Sequence, residues 1–286
     1  TAAGAAGPNY DFNYVAGNLT VFATPPAITT EPASASVTLG AATNFSVVAT
    51  GTAPLSYQWR LAGSDLPGAS AATFSIGAST LADAGSYDVI VSNVGGSVTS
   101  VVANLTVLVP PAIVVSPASV NVDARGIATF SVNATGSAPL RYQWTKDGSD
   151  LSGQTNPTLL LSNIAAGDAG SYRVVVSNAA GTATSAAATL TVNLIAPTVT
   201  WSTPAPIGYG NPLGESQLSA AASVAGSFTY TPASGTVLAG GSQPLSVLFT
   251  PLDAGRYAPV TVNRSITVQP VPLTVTANNG SREIGV

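Results

Sequence analysis

Residues 83–91 read DAGSYDVIV, and residues 168–176 read DAGSYRVVV. A second shared motif lies upstream of each, PLSYQW at 54–59 and PLRYQW at 139–144. Both motifs return after an offset of 85 residues. Internal repetition of this kind indicates tandem copies of one folding unit.

The same offset extends to both ends of the repeat. PPAI at 25–28 returns at 110–113, and LTV at 105–107 returns at 190–192. Because the offset never changes, neither copy has accepted an insertion, even in its loops.

Both copies have the residue pattern of β-strands. FSVVATG at 45–51 and FSVNATG at 130–136 place Phe and Val at alternate positions, between clusters of Gly, Pro, Asn and Ser. TFSIG at 73–77 and LLLSNI at 159–164 predict a later strand. No segment keeps a helical period beyond about one turn, so we predict an all-β chain.

One tryptophan, one tyrosine and two valines recur at fixed spacing. Trp59 follows Val47 by 12 residues, and Val89 follows Tyr87 by two. The second copy repeats the set as Val132, Trp144, Tyr172 and Val174. Over both repeats this arrangement resembles an immunoglobulin-like sandwich of the I-set kind.

The resemblance implies a structural role for each recurring residue. The paired valines stand where that family normally has two cysteines bridging its sheets, with the tryptophan packed on the bridge. A Val–Val contact would replace the disulfide, giving up about 2–5 kcal/mol of cross-link stabilisation. The tyrosines would form the family's tyrosine corner. Its turn would be made by Asp83 and Gly85 in the first copy and by Asp168 and Gly170 in the second.

The last third of the chain is a different β unit. Its tryptophan, Trp201, lies near its start, and FTYTPASGTVLAGG at 228–241 predicts a hairpin. It resembles the short bacterial Ig-like repeats of giant surface proteins. DAGRY at 253–257 predicts a third corner. Short segments at 9–21 and 272–286 resemble a further, MBG-type bacterial repeat.

These patterns predict tandem immunoglobulin-like β-sandwich domains in an elongated string. We expect the end of a broken repeat at 1–24, I-set-like domains at 25–108 and 109–193, a sandwich of another type at 194–269, and the start of a further broken repeat at 270–286.

The composition excludes several kinds of function. Only 7% of the residues are charged, the net charge is -4, and Lys146 is the one lysine. Nucleic-acid binding depends on clustered Lys and Arg, so no nucleic-acid partner is expected. The chain has no histidine and no cysteine, which removes the commonest catalytic bases, nucleophiles and metal ligands.

The carboxylates predict neither a catalytic nor a metal site. Asp147 and Asp150 lie close together in KDGSD, which has the pattern of a hairpin turn capped by Asp. Calcium would need several acids near the linkers, which offer only Glu31. We therefore expect no enzyme activity, cofactor or metal.

Two further patterns have ordinary structural explanations. The uncharged stretch at 97–115 contains Ser, Thr, Asn and Pro110-Pro111, so no membrane insertion is expected. Aromatic residues that could grip sugar rings are better explained as core or linker packing. They are Tyr10, Tyr14, Trp201, Tyr209, Tyr230 and Tyr257.

The sequence predicts a non-enzymatic spacer in a large exported bacterial protein, extracellular or on the cell surface and adhesin-like. Its partners would be neighbouring domains of the same longer chain. Two alternatives stay open: a module that binds glycans or a host or cell-surface protein, and an accessory region of a secreted polysaccharide-degrading enzyme.

Overall fold

The computed structural model of the chain describes residues 23–276 and residue 280. The broken repeat expected at 1–24 lies outside the described residues apart from 23 and 24. The one expected at 270–286 lies outside them at 277–279 and 281–286. The described chain is built from β-strands with two short 3-10 turns, Leu81–Asp83 and Ala166–Asp168. The all-β prediction is confirmed.

The chain divides into two compact units. The first takes the residues up to Pro111 together with 136–140 and 177–182. The second takes 112–135, 141–176 and the residues from Ala183 onward. Most of the second repeat therefore shares a unit with the third segment.

The first repeat contains ten strands. They are β1 Ala27–Thr30, β2 Ala35–Thr38, β3 Thr43–Ser46, β4 Val48–Thr50, β5 Ser56–Leu61, β6 Ser64–Asp65, β7 Thr73–Ile76, β8 Gly85–Asn93, β9 Gly96–Thr99 and β10 Ala103–Leu108. The main sheet has the order β2-β10-β8-β5-β6, and β9 also pairs with β8. Strand β2 runs parallel to β10, and the other pairs in this sheet are antiparallel.

The opposite layer of the first repeat changes partner at Val47. Strand β3 pairs with β7, and after Val47 the chain continues as β4, which pairs with β1. Val47 is buried, and its N–H donates to the carbonyl of Ala72 at 3.0 Å. At this residue the chain leaves its pairing with β7 and begins its pairing with β1.

Alternation along the strands builds the first core. In β8 the buried residues are Tyr87, Val89 and Val91, each two positions from the next. Successive side chains of a strand point to opposite faces, so all three enter the same core. They pack there with Phe45, Trp59 and Leu105 among others.

The second repeat contains ten strands with the same topology. They are β11 Ala112–Val115, β12 Val120–Asp123, β13 Ile127–Ser131, β14 Asn133–Thr135, β15 Arg141–Lys146, β16 Ser149–Asp150, β17 Thr158–Ser162, β18 Gly170–Asn178, β19 Gly181–Thr184 and β20 Ala188–Asn193. The order β12-β20-β18-β15-β16 reproduces that of the first repeat, as do the pairs β11-β14 and β13-β17.

The third segment contains six strands. They are β21 Val199–Thr200, β22 Ile207–Gly208, β23 Ala221–Ala222, β24 Gly226–Thr231, β25 Gly241–Pro251 and β26 Val260–Gln269. Its sheet order is β22-β26-β25-β24, and β21 pairs with β23. Trp201, Leu213, Val247 and Ile266 are among its buried core residues.

Candidate functional site

The two recurring tryptophans are fully buried and hydrogen-bonded. Trp59 has no exposed surface, and its Nε1 donates to the carbonyl of Ala71 at 2.9 Å. Trp144 is equally buried, and its Nε1 donates to the carbonyl of Asn156 at 2.8 Å. Because each indole N–H has an acceptor, the rings fill the core without an unpaired polar group.

The valines at the expected cysteine positions are buried too. Val47 and Val89 belong to the same core as Trp59. In the second repeat Val132 and Val174 are also buried. Apolar packing therefore occupies the place where the resemblance puts a disulfide.

Each repeat contains a hydrogen-bonded tyrosine turn. The hydroxyl of Tyr87 donates to the carbonyl of Asp83 at 2.7 Å, and that of Tyr172 donates to Asp168 at the same distance. Burial raises the pKa of both phenols, and the charge of the neighbouring aspartates raises it further. The pKa of Tyr172 reaches about 12. Both rings are therefore held in their neutral form.

The aspartates that open these turns accept backbone hydrogen bonds. The carboxylate of Asp83 accepts from the N–H and the hydroxyl of Thr80, both at 2.7 Å. These bonds lower the pKa of Asp83, the backbone bond most. The carboxylate of Asp168 accepts from the N–H of Ala165 at 2.8 Å. Both carboxylates thus stabilise the 3-10 turn that precedes the tyrosine strand.

Close approach explains the glycines of these turns. A Cβ on Gly85 would lie 2.7 Å from Cδ1 of Leu61. A Cβ on Gly170 would lie 2.6 Å from Oδ2 of Asp147. The ends of the Leu61 and Asp147 side chains would have to move to admit a larger residue at these glycines.

Asp147 holds a hairpin to its neighbouring strand. It lies between β15 and β16 with φ 50°, followed by Gly148 with φ 85°. Its carboxylate accepts from the N–H of Ser171 at 2.8 Å and from Nζ of Lys146 at 3.0 Å. These contacts lower the pKa of Asp147, and the hydrogen bond from Ser171 has the largest effect. The hairpin prediction holds, but the backbone donor that Asp147 caps lies on another strand.

The other acids with contacts also serve structural partners. Arg60 and Asp88 form a two-bonded ion pair across β5 and β8, with distances of 2.7 and 2.6 Å. Glu31 accepts from the N–H of Val101 at 2.9 Å. Among the described residues no three of His, Cys, Asp or Glu gather as a metal site would require.

Sequence reasoning missed the residues that hold the linkers. Nδ2 of Asn93 donates to the carbonyls of Thr24 and Thr52 at 2.8 and 2.9 Å. Asn178 makes the same two bonds, at the same distances, to Val109 and Ser137. The signal was present, because VSN at 91–93 returns at 176–178.

A glycine in each repeat lies against the same linker. A Cβ on Gly51 would lie 3.0 Å from Cα of Pro26, and one on Gly136 would lie 3.0 Å from Cα of Pro111. The paired prolines of each PPAI motif are therefore seated on a glycine that leaves room for them.

The prediction of a third tyrosine corner is wrong. Residues 253–257 do form a turn, in which the N–H of Tyr257 donates to the carbonyl of Asp253 at 3.0 Å. The hydroxyl of Tyr257, however, accepts a hydrogen bond from Nη1 of Arg125, in the second repeat, at 2.9 Å. Asp253 pairs instead with Arg256. The hydroxyl of Tyr257 therefore bonds outside the third segment and does not close a corner within it.

Apart from Tyr257, the aromatic residues weighed for sugar contact fall into three groups. Trp201 is buried, and its Nε1 donates to the carbonyl of Gln217 at 2.9 Å. The hydroxyl of Tyr230 accepts from the N–H of Ala220 in the same core. Tyr209 is 58% exposed. Tyr10 and Tyr14 lie outside the described residues.

Tyr209 borders a shallow cleft of about 310 Å³. The other lining residues are Gly240, Gly241, Val268, Pro270 and Val271. None of them carries a carboxylate or another group suited to acid–base chemistry.

Across the described residues, no helix has the length and apolar character needed to cross a membrane.

With this core and topology in place, comparison with known families identifies the repeats. Residues 26–107 match the immunoglobulin I-set domain, and residues 110–178 match the immunoglobulin domain. The chain therefore carries tandem immunoglobulin domains, and the predicted all-β immunoglobulin-like fold class is confirmed.

Two curated proteins and one solved structure illustrate the range of relatives. Roundabout homolog 1 of Mus musculus is 37% identical over 115 residues, which are 38% of this chain and 7% of that protein. Endoglucanase C of Cellulomonas fimi is 30% identical over 179 residues, 59% of this chain and 16% of that protein. The chain thus spans a small part of either relative's length.

The I-band fragment I67–I69 of titin has a similar fold. It superposes with a TM-score of 0.57 at 20% identity and covers 86% of this chain and 99% of its own. At this identity the likeness concerns the fold alone.

Proposed function

We propose that the chain is a non-enzymatic spacer segment of a large bacterial protein that is exported to the cell surface, as in an adhesin stalk. One observation carries this proposal. The two repeats duplicate, contact for contact, the residues that hold the core and seat the linker, such as Trp59 with Trp144 and Asn93 with Asn178. Because the duplicated residues serve packing, the repeat copies a structural unit.

The proposal includes the domain boundaries expected from the sequence. The spacer consists of domains at 25–108, 109–193 and 194–269, between parts of further repeats at 1–24 and 270–286. The residues given structural roles in the two copies, from Val47 to Val174, form its cores and tyrosine turns. The neighbouring domains of the longer chain are its main partners.

The surface chemistry supports a spacer. Charged residues make up 7% of the chain, far below the quarter or so found in ordinary soluble domains. Long-range attraction of charged partners is correspondingly weak. A surface of Thr, Ser, Asn and Gln keeps a stalk hydrated without recruiting ligands.

Small-angle scattering of the chain tests this proposal. A compact particle of 286 residues has a radius of gyration of about 19 Å. Three sandwiches, each roughly 30–40 Å long, give a radius above about 30 Å when placed end to end. A value near that of the compact particle would contradict the spacer function.

A second candidate is an accessory region of a secreted polysaccharide-degrading enzyme. The similarity to Endoglucanase C favours it, since that match covers 59% of this chain. In such a region the exposed ring of Tyr209 is the aromatic surface best placed to stack on a sugar.

Co-sedimentation with insoluble cellulose separates the two candidates. A spacer stays in the supernatant, whereas a glycan-binding region is retained and loses retention on Tyr209→Ala. Tyr142→Ala, a partly buried tyrosine of the second domain, is the matched control. Retention that survives Tyr209→Ala would place sugar binding elsewhere on the chain.

A further inference from the structure

The turn at residues 253–258 holds the linker that enters the third segment. The N–H of Ile195 donates to the carbonyl of Arg256 at 2.9 Å, and the N–H of Ala258 donates to the carbonyl of Ile195 at 3.0 Å. Ile195 and Tyr257 thereby pair as in a parallel sheet. The linker is bonded on both sides of one residue, which restricts its rotation.

The same turn reaches the 3-10 turn of the second domain. The N–H of Ala166 donates to the carbonyl of Gly255 at 2.7 Å. N–H groups in the first turn of a helix have no partner within it, so the next segment supplies an acceptor. A Cβ on Gly255 would lie 3.9 Å from Cβ of Ala165, so the two turns are in close contact.

Arg125 supplies the side-chain part of this contact. Its Nη1 donates to the hydroxyl of Tyr257 at 2.9 Å, and its guanidinium carbon lies 5.9 Å from the centre of that ring. The backbone of Arg125 has φ 70°, in the left-handed region that disfavours residues with a Cβ. An unfavourable backbone conformation therefore accompanies an interdomain contact.

The first domain has different residues at all three contacting positions. Gly40, with φ 84°, stands where the second domain has Arg125. The backbone bond is the same, from Gly40 to Ser79 at 2.8 Å and from Arg125 to Ile164 at 2.7 Å. Thr80 and the exposed Leu81 stand in place of Ala165 and Ala166.

All three differences lie at the contact with residues 253–257. At the turn of the second domain, a long cationic side chain that reaches Tyr257 stands in place of glycine. At the neighbouring 3-10 turn, alanines stand in place of Thr and Leu, and Ala165 lies against Gly255. The second copy thus differs from the first at each of the three positions that contact the third segment.

We propose that these residues form a joint that fixes the third domain against the second, and that an arginine occupies this left-handed position because its side chain clamps Tyr257. The joint accepts a domain whose turn presents a glycine carbonyl and a tyrosine hydroxyl, as residues 253–257 do. The second and third domains then move as one body.

Distance measurements between two spin labels test the clamp in the full chain. The chain has no cysteine, so Thr129→Cys and Thr261→Cys, both exposed positions, give specific attachment in the two domains. We expect one narrow distribution of distances for the parent chain. Arg125→Gly should broaden it roughly twofold, because linked domains without a firm interface move freely.

A matched control separates the clamp from backbone strain. Ala62→Gly replaces a left-handed residue of the first domain, with φ 49°, and should leave the distance distribution unchanged. Incorporated 5-fluorotryptophan gives one ¹⁹F signal for each of Trp59, Trp144 and Trp201 and reports whether each domain stays folded. We expect all three folded signals in Arg125→Gly.

Three results would overturn the proposal. They are a parent distribution as broad as that of Arg125→Gly, an Arg125→Gly distribution as narrow as the parent's, and collapse of the Trp144 signal in Arg125→Gly. The last would mean that arginine supports the turn itself, whereas Gly40 holds the equivalent turn without a side chain.

Discussion

At the scale of single residues, the tyrosine turn shows how burial and hydrogen bonding combine. Tyr172 is almost completely buried, and its hydroxyl donates to the carbonyl of Asp168. Without that acceptor the phenol would leave an unpaired donor in the core. With it, the ring joins Phe130 at a centroid distance of 4.9 Å and ties the turn to the core.

We expect Tyr172→Phe to lower the free energy of unfolding of the second domain by about 1 kcal/mol, because one hydrogen bond is lost. Denaturant titration followed by fluorescence measures the change. Tyr142→Phe is the control, since its hydroxyl makes no hydrogen bond within the described chain. Equal losses from the two variants would contradict the role of the turn.

The raised pKa of Tyr172 adds a pH dependence. Folding raises the pKa of the Tyr172 phenol to about 12, from an ordinary value of 10.0. The stabilisation is therefore complete below about pH 10 and is lost as the pH rises toward 12. Denaturant titrations across this range should show a steeper decline for the parent chain than for Tyr172→Phe.

At the scale of strands and loops, the linker seat and the sheet-to-sheet contact define each domain. Gly51 leaves room for Pro26, and the pair Val47 and Val89 lies in the core between the two layers. The contact of Gly51 with Pro26 positions the linker where it joins the domain, and the two valines pack between the layers. Each predicts a distinct response to substitution.

Gly51→Ala should destabilise the first domain by about 1–3 kcal/mol, because its methyl group would be forced against the backbone of Pro26. Chemical denaturation of the full chain measures the effect. Gly77→Ala is the matched control, since a Cβ there meets nothing within 4 Å. A neutral Gly51→Ala would show that the linker moves aside at little cost.

The double substitution Val47→Cys with Val89→Cys should form a disulfide on oxidation. Closing a loop of this length stabilises a domain by roughly 4 kcal/mol in the chain-entropy treatment. Thiol titration and denaturation with and without reductant measure both outcomes. Val132→Cys with Val174→Cys should behave alike, and persistent free thiols in both pairs would mean that the valines do not face each other.

The sequence predicted what depends on repetition and could not predict what depends on contact between segments. Trp59 and Tyr87 were found because their spacing survives in two copies. The role of Asn93 needed the fold, since its partner Thr24 lies 69 residues away. Tyr257 was misread because its motif matches the other corners, while its partner Arg125 lies 132 residues away.

At the scale of the whole molecule, the chain is a series of cores with one tryptophan each. Trp59, Trp144 and Trp201 are buried in the first, second and third sandwich. Serial domains derive most of their stability from their own cores and a smaller part from their neighbours. Damage to one core should therefore remain local, apart from the joint at Tyr257.

Trp144→Ala should cost the second domain roughly 3–5 kcal/mol, because a large buried side chain is removed. The transition reported by Trp59 should stay where it is in the parent chain. Site-resolved fluorine spectra during thermal unfolding measure both. Simultaneous loss of the Trp59 and Trp144 signals would refute independent first and second domains.

The valine pair has a consequence for how far the chain can lengthen under tension. No covalent cross-link joins Val47 to Val89, because the chain has no cysteine. A pulled first domain therefore releases all of its roughly 84 residues, or about 290 Å of extended chain. A cystine at those two positions would withhold the stretch between them, about 140 Å. Each domain can thus serve as a reserve of length, available in full whether its surroundings are oxidising or reducing.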